Sequence, residues 1–198
     1  MITIKPIITD IKEYQRGELP ENAIKLNTPR SIDEMTKKAF PIAIVLCALL
    51  FIAMLIKTIS NHTRVVSFPA IVVGFLAGFV LLAVHEWLHA VVYPKDAKVT
   101  IGKVKGKLLF VALASYPMTR VRFIIMSLLP FVLGILPLAI FIISPAENKV
   151  LNGLMFGMAG MGMVSPYVDV YNVITVLKQS RKTDKIMFFE DDLYRITE

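Results

Sequence analysis

Four long runs without a charged residue dominate the pattern of hydrophobic and polar positions along this chain. They cover residues 39–56, 65–84, 123–146 and 150–168, with 18, 20, 24 and 19 residues. The apolar core of a bilayer, about 30 Å thick, needs about 20 helical residues at 1.5 Å each. We therefore expect four transmembrane helices. The alternative, buried helices of a soluble protein, leaves too little polar surface in a chain of this length.

This pattern predicts an all-α integral membrane protein with about four transmembrane helices and a small β-hairpin-like cytoplasmic loop. The spans are expected at about 40–58, 66–93, 122–144 and 150–177. They belong to one membrane-embedded domain over 39–178, between an N-terminal segment, 1–38, and a tail, 179–198. Ser31 and Glu34 form a capping box, which predicts that a helix begins there and follows the membrane surface to Pro41.

The loop after the second span predicts the hairpin. In residues 97–115, Val99 and Ile101 alternate with polar residues, and Lys105-Gly106 is a candidate turn. An exposed strand here would offer an edge on which an extended peptide can pair. The C-terminal stretch 186–196 is either another strand or an irregular tail.

Composition and charge agree with a membrane protein. Hydrophobic residues make up 56% of the chain and charged residues 19%, with one cysteine, Cys47. These values exclude a disordered chain, a collagen and a disulfide-stapled secreted domain. The net charge of +7 alone would also suit nucleic acid, but no recognised nucleic-acid motif accompanies it, so we expect no nucleic-acid partner.

The basic residues also predict the orientation in the membrane. Residues 1–38, 93–122 and 178–198 together hold 19 Lys and Arg, whereas the other two loops hold 3. Because Lys and Arg are retained on the cytoplasmic side, both termini and the middle loop are expected there. The predicted location is the cell membrane, with the lipid bilayer itself as a partner.

The candidate chemistry lies at the end of the second span. His85, Glu86 and His89 form an HExxH motif, in which the two histidines share one helical face and can bind a single Zn²⁺. Zinc makes a bound water acidic, and Glu86 is placed to take its proton as the catalytic base. The alternative is a pair of interfacial histidines with a glutamate at the end of the span, but ionisable residues in a hydrophobic span usually mark a functional site.

A zinc hydrolase usually has a third protein ligand, and we expect Asp169 in this role. Asp169 lies 19 residues into the fourth span and His85 lies 16 residues into the second, counted from Val150 and Pro69. At 1.5 Å per residue these depths, roughly 28 and 24 Å, differ by less than one helical turn. The alternative for Asp169 is a solvated carboxylate at the end of its span.

The other candidate ligands are less suitable. His62 and Glu147 belong to loops on the opposite side of the predicted membrane. Asp96 follows Pro94 in a basic loop, where pairing with a lysine is expected.

Three further features are interpreted mainly as structural. Asn172 lies one turn past Asp169 and is either an oxyanion donor or, as we favour, a polar residue at a helix end. Arg120 and Arg122 are expected to anchor the third span at the membrane edge. The GxxxG of Gly153 and Gly157, with the methionines around it, favours close helix packing over an adaptable substrate groove.

The chain resembles a bacterial membrane family of unknown function that is described as zincin peptidases and is itself similar in plan to site-2 intramembrane zinc proteases. HEWLHA, the stretch LFVALASYPMTRVRFIIMSLLPFVLGILPL and the Gly-rich fourth span with Asp169 carry the resemblance, over roughly residues 65–180. It implies that His85, His89 and Asp169 bind zinc and that Glu86 is the base. Val168 stands where the family tends to have Gly, and Val170 where site-2 proteases have Gly.

Taken together, these observations predict an intramembrane zinc metalloprotease, with Zn²⁺ as cofactor. Its expected substrates are membrane-associated proteins or peptides, cut near the cytoplasmic face. Two other functions remain open: a non-catalytic binding or regulatory protein that keeps this scaffold, and a small transporter with an intramembrane His/Glu/Asp relay.

Overall fold

A computed structural model describes residues 1–29, 31–106 and 109–197, and divides the chain into two compact units. One unit, called here the sheet unit, comprises 1–39, 86–129 and 168–198; the other, the helical unit, comprises 40–85 and 130–167. The helices are α1 (Ile32–Ser60), α2 (Phe68–Val80), α3 (Leu82–Val92), α4 (Arg120–Leu128), α5 (Val132–Ile143), α6 (Lys149–Val164) and α7 (Tyr167–Gln179). The strands are β1 (Ile2–Ile8), β2 (Ala23–Lys25), β3 (Val99–Val104), β4 (Phe110–Leu113), β5 (Met118–Thr119), β6 (Lys185–Phe189) and β7 (Asp192–Ile196).

Three helical runs in the described residues have the length and apolar character needed to cross a membrane: Ile32–Ser60, Phe68–Val92 and Arg120–Ile143. The second run joins α2 to α3, and the third joins α4 to α5 through a 3₁₀ turn, Leu129–Phe131. These runs agree with the first three predicted spans. The predicted fourth span differs, because α6 ends at Val164 and α7 begins at Tyr167. Pro166 lies between them, and its lack of an N–H group interrupts the helical hydrogen bonds.

The N-terminal capping box begins a longer helix than expected. The Glu34 N–H donates to the Ser31 hydroxyl at 3.2 Å. From there α1 continues without a break to Ser60, with Pro41 inside it. The predicted surface helix and the first span are therefore one helix. Pro41 is the tenth residue of α1, so its ring removes one backbone hydrogen bond from the interior of the helix.

Glycines bring the helices of the helical unit into close contact. A Cβ added at Gly74 would lie 2.1 Å from the Leu154 carbonyl oxygen, and one at Gly157 would lie 2.2 Å from the Ile71 carbonyl oxygen. The backbones of α2 and α6 therefore touch directly, as small residues allow. Gly134 of α5 and Gly162 of α6 meet in the same way. The expectation that the GxxxG of the fourth span serves helix packing agrees with this geometry.

A lysine ties the end of α1 to the rest of the helical unit. The Lys57 ammonium donates to the Ser144 carbonyl at 2.7 Å, to the Asn152 side-chain oxygen at 2.9 Å and to the Phe141 carbonyl. The two carbonyls belong to the C-terminal end of α5, where a positive charge is favourable. Lys57 therefore caps α5.

The sheet unit contains two sheets, so the all-α prediction was too coarse. One sheet has the order β1-β3-β4, and the other has the order β2-β7-β6-β5. The predicted hairpin is confirmed by the antiparallel pairing of β3 with β4, although residues 107–108 of its turn lie outside the described residues. Residues 186–196 belong to the hairpin of β6 and β7 rather than to a tail.

Within residues 97–115 the strand at an edge of its sheet is β4, whereas β3, which carries Val99 and Ile101, is the central strand. Strand β3 pairs with β4 on one side and in parallel with β1 on the other. The first residues of the chain therefore occupy the other edge. The alternation of apolar and polar residues within one strand does not reveal which distant strand pairs with it.

We predict that Gly157→Ala destabilises the protein by about 1–3 kcal/mol, because the methyl group would overlap the Ile71 backbone. Thermal unfolding in detergent measures the effect. Gly160→Ala is the matched control on the same helix, since an added Cβ there meets no other described part of the chain within 4 Å beyond its own stretch of helix. Equal melting temperatures for the two variants would contradict the proposed close packing of α2 and α6.

Candidate metal centre

Helix α3 presents the two histidines of the HExxH motif on one buried face. His85 and His89 are four residues apart, which places them one turn from each other on the same side of the helix. Their exposed fractions are only 5% and 6%. Helix α3 thus places the two imidazoles next to each other, as the sequence predicts.

A hydrogen bond from helix α4 sets the orientation of His89. The His89 Nδ1 lies 2.7 Å from the Met126 carbonyl oxygen. Because a carbonyl can only accept, Nδ1 carries the proton and donates it, and the Nε2 lone pair is left for a metal. Histidine ligands of metals are usually oriented in this way.

Asp169 of helix α7 joins the histidines. Its Oδ1 lies 3.5 Å from His89 Nε2. One potential ligand atom from each of His85, His89 and Asp169 lies within 4.8 Å of the other two. Among the described residues, no other group of three His, Cys, Asp or Glu side chains satisfies this criterion.

The donor set fits a zinc ion. Zinc binds imidazole nitrogen and carboxylate oxygen at about 2.0–2.2 Å, so two ligands of a tetrahedral ion lie roughly 3.3–3.6 Å apart. The 3.5 Å between His89 Nε2 and Asp169 Oδ1 falls within this range. Two histidines and one carboxylate are also the ligands of many catalytic zinc sites, which keep one position open.

Glu86 follows His85 directly on helix α3 and is half-buried. It lies three residues before His89 on the same helix, which makes the two side chains neighbours on the helix surface. Besides Asp169, Glu86 is therefore a second carboxylate close to the potential metal ligands, but it is not itself a ligand in this group.

His62, Glu147 and Asp96, the less suitable candidate ligands, stay outside this group. His62 and Glu147 are exposed, in the turns before α2 and α6. Asp96 accepts a hydrogen bond from the Tyr116 hydroxyl, which holds the pKa of this exposed carboxyl below its usual range. Among the described residues its hydrogen-bond partner is therefore a tyrosine rather than the lysine expected from the sequence. Its partner comes from the loop after β4, which local sequence does not reveal.

Two arginines of helix α4 contact the helices that carry the site. The Arg122 Nε donates to the Val92 carbonyl of α3 at 2.6 Å, and an Arg120 Nη donates to the Leu177 carbonyl of α7 at 3.0 Å. Both carbonyls lie in the last turn of their helix, where cations are favourable. The sequence alone predicts these arginines to be membrane anchors and does not reveal this capping, because neither acceptor is near in sequence.

Asn172 is a further polar residue close to the group. It is three residues after Asp169 on α7, and only 6% of its surface is exposed. It does not lie at a helix end, since α7 continues to Gln179. The favoured interpretation of Asn172 as a helix-end residue was therefore wrong.

The chain matches a known protein family. The family model described as "Putative zincin peptidase" matches residues 78–183, which is more than half of the chain and includes the four residues singled out above. This match confirms the resemblance to zincin peptidases that the sequence indicates. No curated protein and no solved structure matches the chain. The chain belongs to the family described as "Putative zincin peptidase".

Proposed function

We propose that this protein is an intramembrane zinc metalloprotease that hydrolyses peptide bonds of membrane-associated proteins or peptides near the cytoplasmic face. The observation that carries the proposal is the grouping of His85, His89 and Asp169 within 4.8 Å. This group lies in a chain with three helical runs apolar enough to cross a membrane. Membership of a zincin family supports the reaction class.

In this proposal His85, His89 and Asp169 hold the metal through two imidazole nitrogens and one carboxylate oxygen. Zinc bound by such a set supplies Lewis acidity, which polarises a peptide carbonyl and makes water more acidic. The bond from His89 Nδ1 to the Met126 carbonyl keeps that imidazole in the tautomer that binds metal.

Glu86 is the proposed general base. Its carboxylate accepts a proton from the attacking water and later delivers it to the amine that leaves. A half-buried carboxylate next to His85 on the same helix suits this role, because its position is fixed by the helix and water still reaches it.

The membrane arrangement supports a site at the cytoplasmic end. Residues 1–38, 93–122 and 178–198 together hold 19 Lys and Arg, against 3 in the rest of the chain. The positive-inside rule then assigns these segments and both termini to the cytoplasm of a multi-pass protein of the cell membrane. This topology requires a fourth crossing, which the proposal assigns to the apolar residues 150–168. The HExxH motif, at the end of the second crossing, then lies near the cytoplasmic surface.

We predict that the purified protein contains about one zinc ion per chain and that Asp169→Asn and His89→Gln lose most of it. Each change removes one of three ligands, and such losses lower metal affinity strongly. Metal analysis after gel filtration in detergent measures the content. Asp96→Asn is the control, because Asp96 bonds Tyr116 instead. Folded wild-type protein without zinc after incubation with the metal would contradict the metal assignment.

We predict that Glu86→Gln keeps its zinc but cleaves at least about 10²-fold more slowly, because the amide is not a base. Cleavage of a panel of detergent-solubilised transmembrane peptides, followed by mass spectrometry, measures the rate. Glu147→Gln, a change at an exposed loop residue, is the matched control. Equal cleavage by Glu86→Gln and wild type would refute the base assignment.

A further inference from the structure

Asn172 has a buried polar atom whose hydrogen bond is missing. The residue is 6% exposed, and its side-chain oxygen is enclosed without a partner among the described residues. Buried polar groups in proteins are nearly always paired, since an unpaired one lowers stability. An unpaired carboxamide oxygen therefore indicates a partner that arrives from outside.

The position of Asn172 on helix α7 relates it to the candidate metal centre. Asp169, Asn172, Val173 and Val176 follow the spacing of one helical face. Residues three apart on such a face have Cβ atoms about 5–6 Å from each other, so Asn172 is a direct neighbour of Asp169.

The same face packs into the interior of the sheet unit. Val176, one turn beyond Asn172, belongs to the apolar cluster that contains Ala90 of α3 and Phe123 of α4. Asn172 thus lies between this cluster and the contact of Asp169 with His89. It is as enclosed as His89, which is also 6% exposed. A molecule that reaches the potential ligands therefore comes close to Asn172.

The other buried polar side chain of α7 differs from Asn172. Thr175 is also 6% exposed, but its hydroxyl donates to the Tyr171 carbonyl at 2.9 Å. Its hydrogen-bonding capacity is thus used within the helix. Asn172 retains an unused acceptor beside the centre.

We propose that Asn172 binds the backbone of the substrate, with its side-chain oxygen accepting the N–H of a peptide group next to the bond that is cleaved. This inference rests on the proposed protease function. A peptide substrate brings unpaired N–H groups into an enclosed site, and a neutral carboxamide oxygen is a suitable acceptor for them. The carboxamide accepts such an N–H group without adding a third carboxylate beside Asp169 and Glu86.

The first test compares Asn172→Leu with wild type in cleavage of the transmembrane peptide panel. We expect KM to rise about tenfold, with kcat and zinc content unchanged, because a substrate contact is lost and no ligand is removed. Asn172→Gln, which keeps a neutral carboxamide oxygen, should restore part of the binding. Thr175→Val is the matched control and should leave KM unchanged.

The second test measures binding without turnover. Fluorescein-labelled copies of the best-cleaved peptide, each N-methylated at one backbone position, are bound to zinc-loaded Glu86→Gln protein and followed by fluorescence anisotropy. Methylation at one position near the cleaved bond should weaken binding about tenfold when Asn172 is present. In the protein that also carries Asn172→Leu, the same methylation should have no effect.

The outcomes separate the two proposals. If wild type cleaves none of the peptides, the protease function fails and the role of Asn172 fails with it. If wild type cleaves but Asn172→Leu has an unchanged KM, only the role of Asn172 fails. Loss of zinc in Asn172→Leu would likewise overturn that role, because the residue would then support the metal centre.

Discussion

The burial of ionisable side chains among apolar helices is the constraint on which the candidate site depends. Imidazole and carboxylate groups are costly to remove from water unless they are paired. The Nδ1–H of His89 meets this requirement through its hydrogen bond to the Met126 carbonyl. The same bond leaves Nε2 facing Asp169 Oδ1 at 3.5 Å, a separation that suits a zinc ion between them. The hydrogen bond that satisfies one imidazole nitrogen thus also directs the other toward its fellow ligand.

Helix α4 stabilises this arrangement in the sheet unit. Its Met126 carbonyl orients His89, and its two arginines cap the last turns of α3 and α7. The helix that carries the histidines and the one that carries Asp169 are therefore both fixed to a third. A ligand set needs such support, because small displacements of its members reduce metal affinity. The glycine contacts of α2, α5 and α6 give the helical unit a comparably rigid packing.

Much of the candidate site could be predicted from the sequence because its main signals are local. Two histidines four residues apart lie on the same face of any helix that contains them. The apolar run before them indicates that this helix is buried or embedded in a membrane. Asp169 followed from the matching lengths of two spans. Asn172 was considered, but its burial and its unpaired oxygen depend on neighbours that are distant in sequence. The strands at 2–8 and 23–25 were missed for the same reason, since their partners lie about one hundred residues or more away.

The sequence by itself determined the apolar helices, the spacing of His85, Glu86 and His89, and the concentration of basic residues in certain segments. These are properties of neighbouring residues, and helix periodicity or bilayer thickness converts them directly into structure. Only the tertiary structure decided that Met126 orients His89, that Arg120 and Arg122 cap two helices, and that β1 closes the edge of β3. Each of these contacts involves a backbone group. Every residue type carries the same backbone carbonyl and, apart from proline, the same N–H, so the sequence does not mark which residue will be the partner. The identity of the partner is therefore set by how the chain folds.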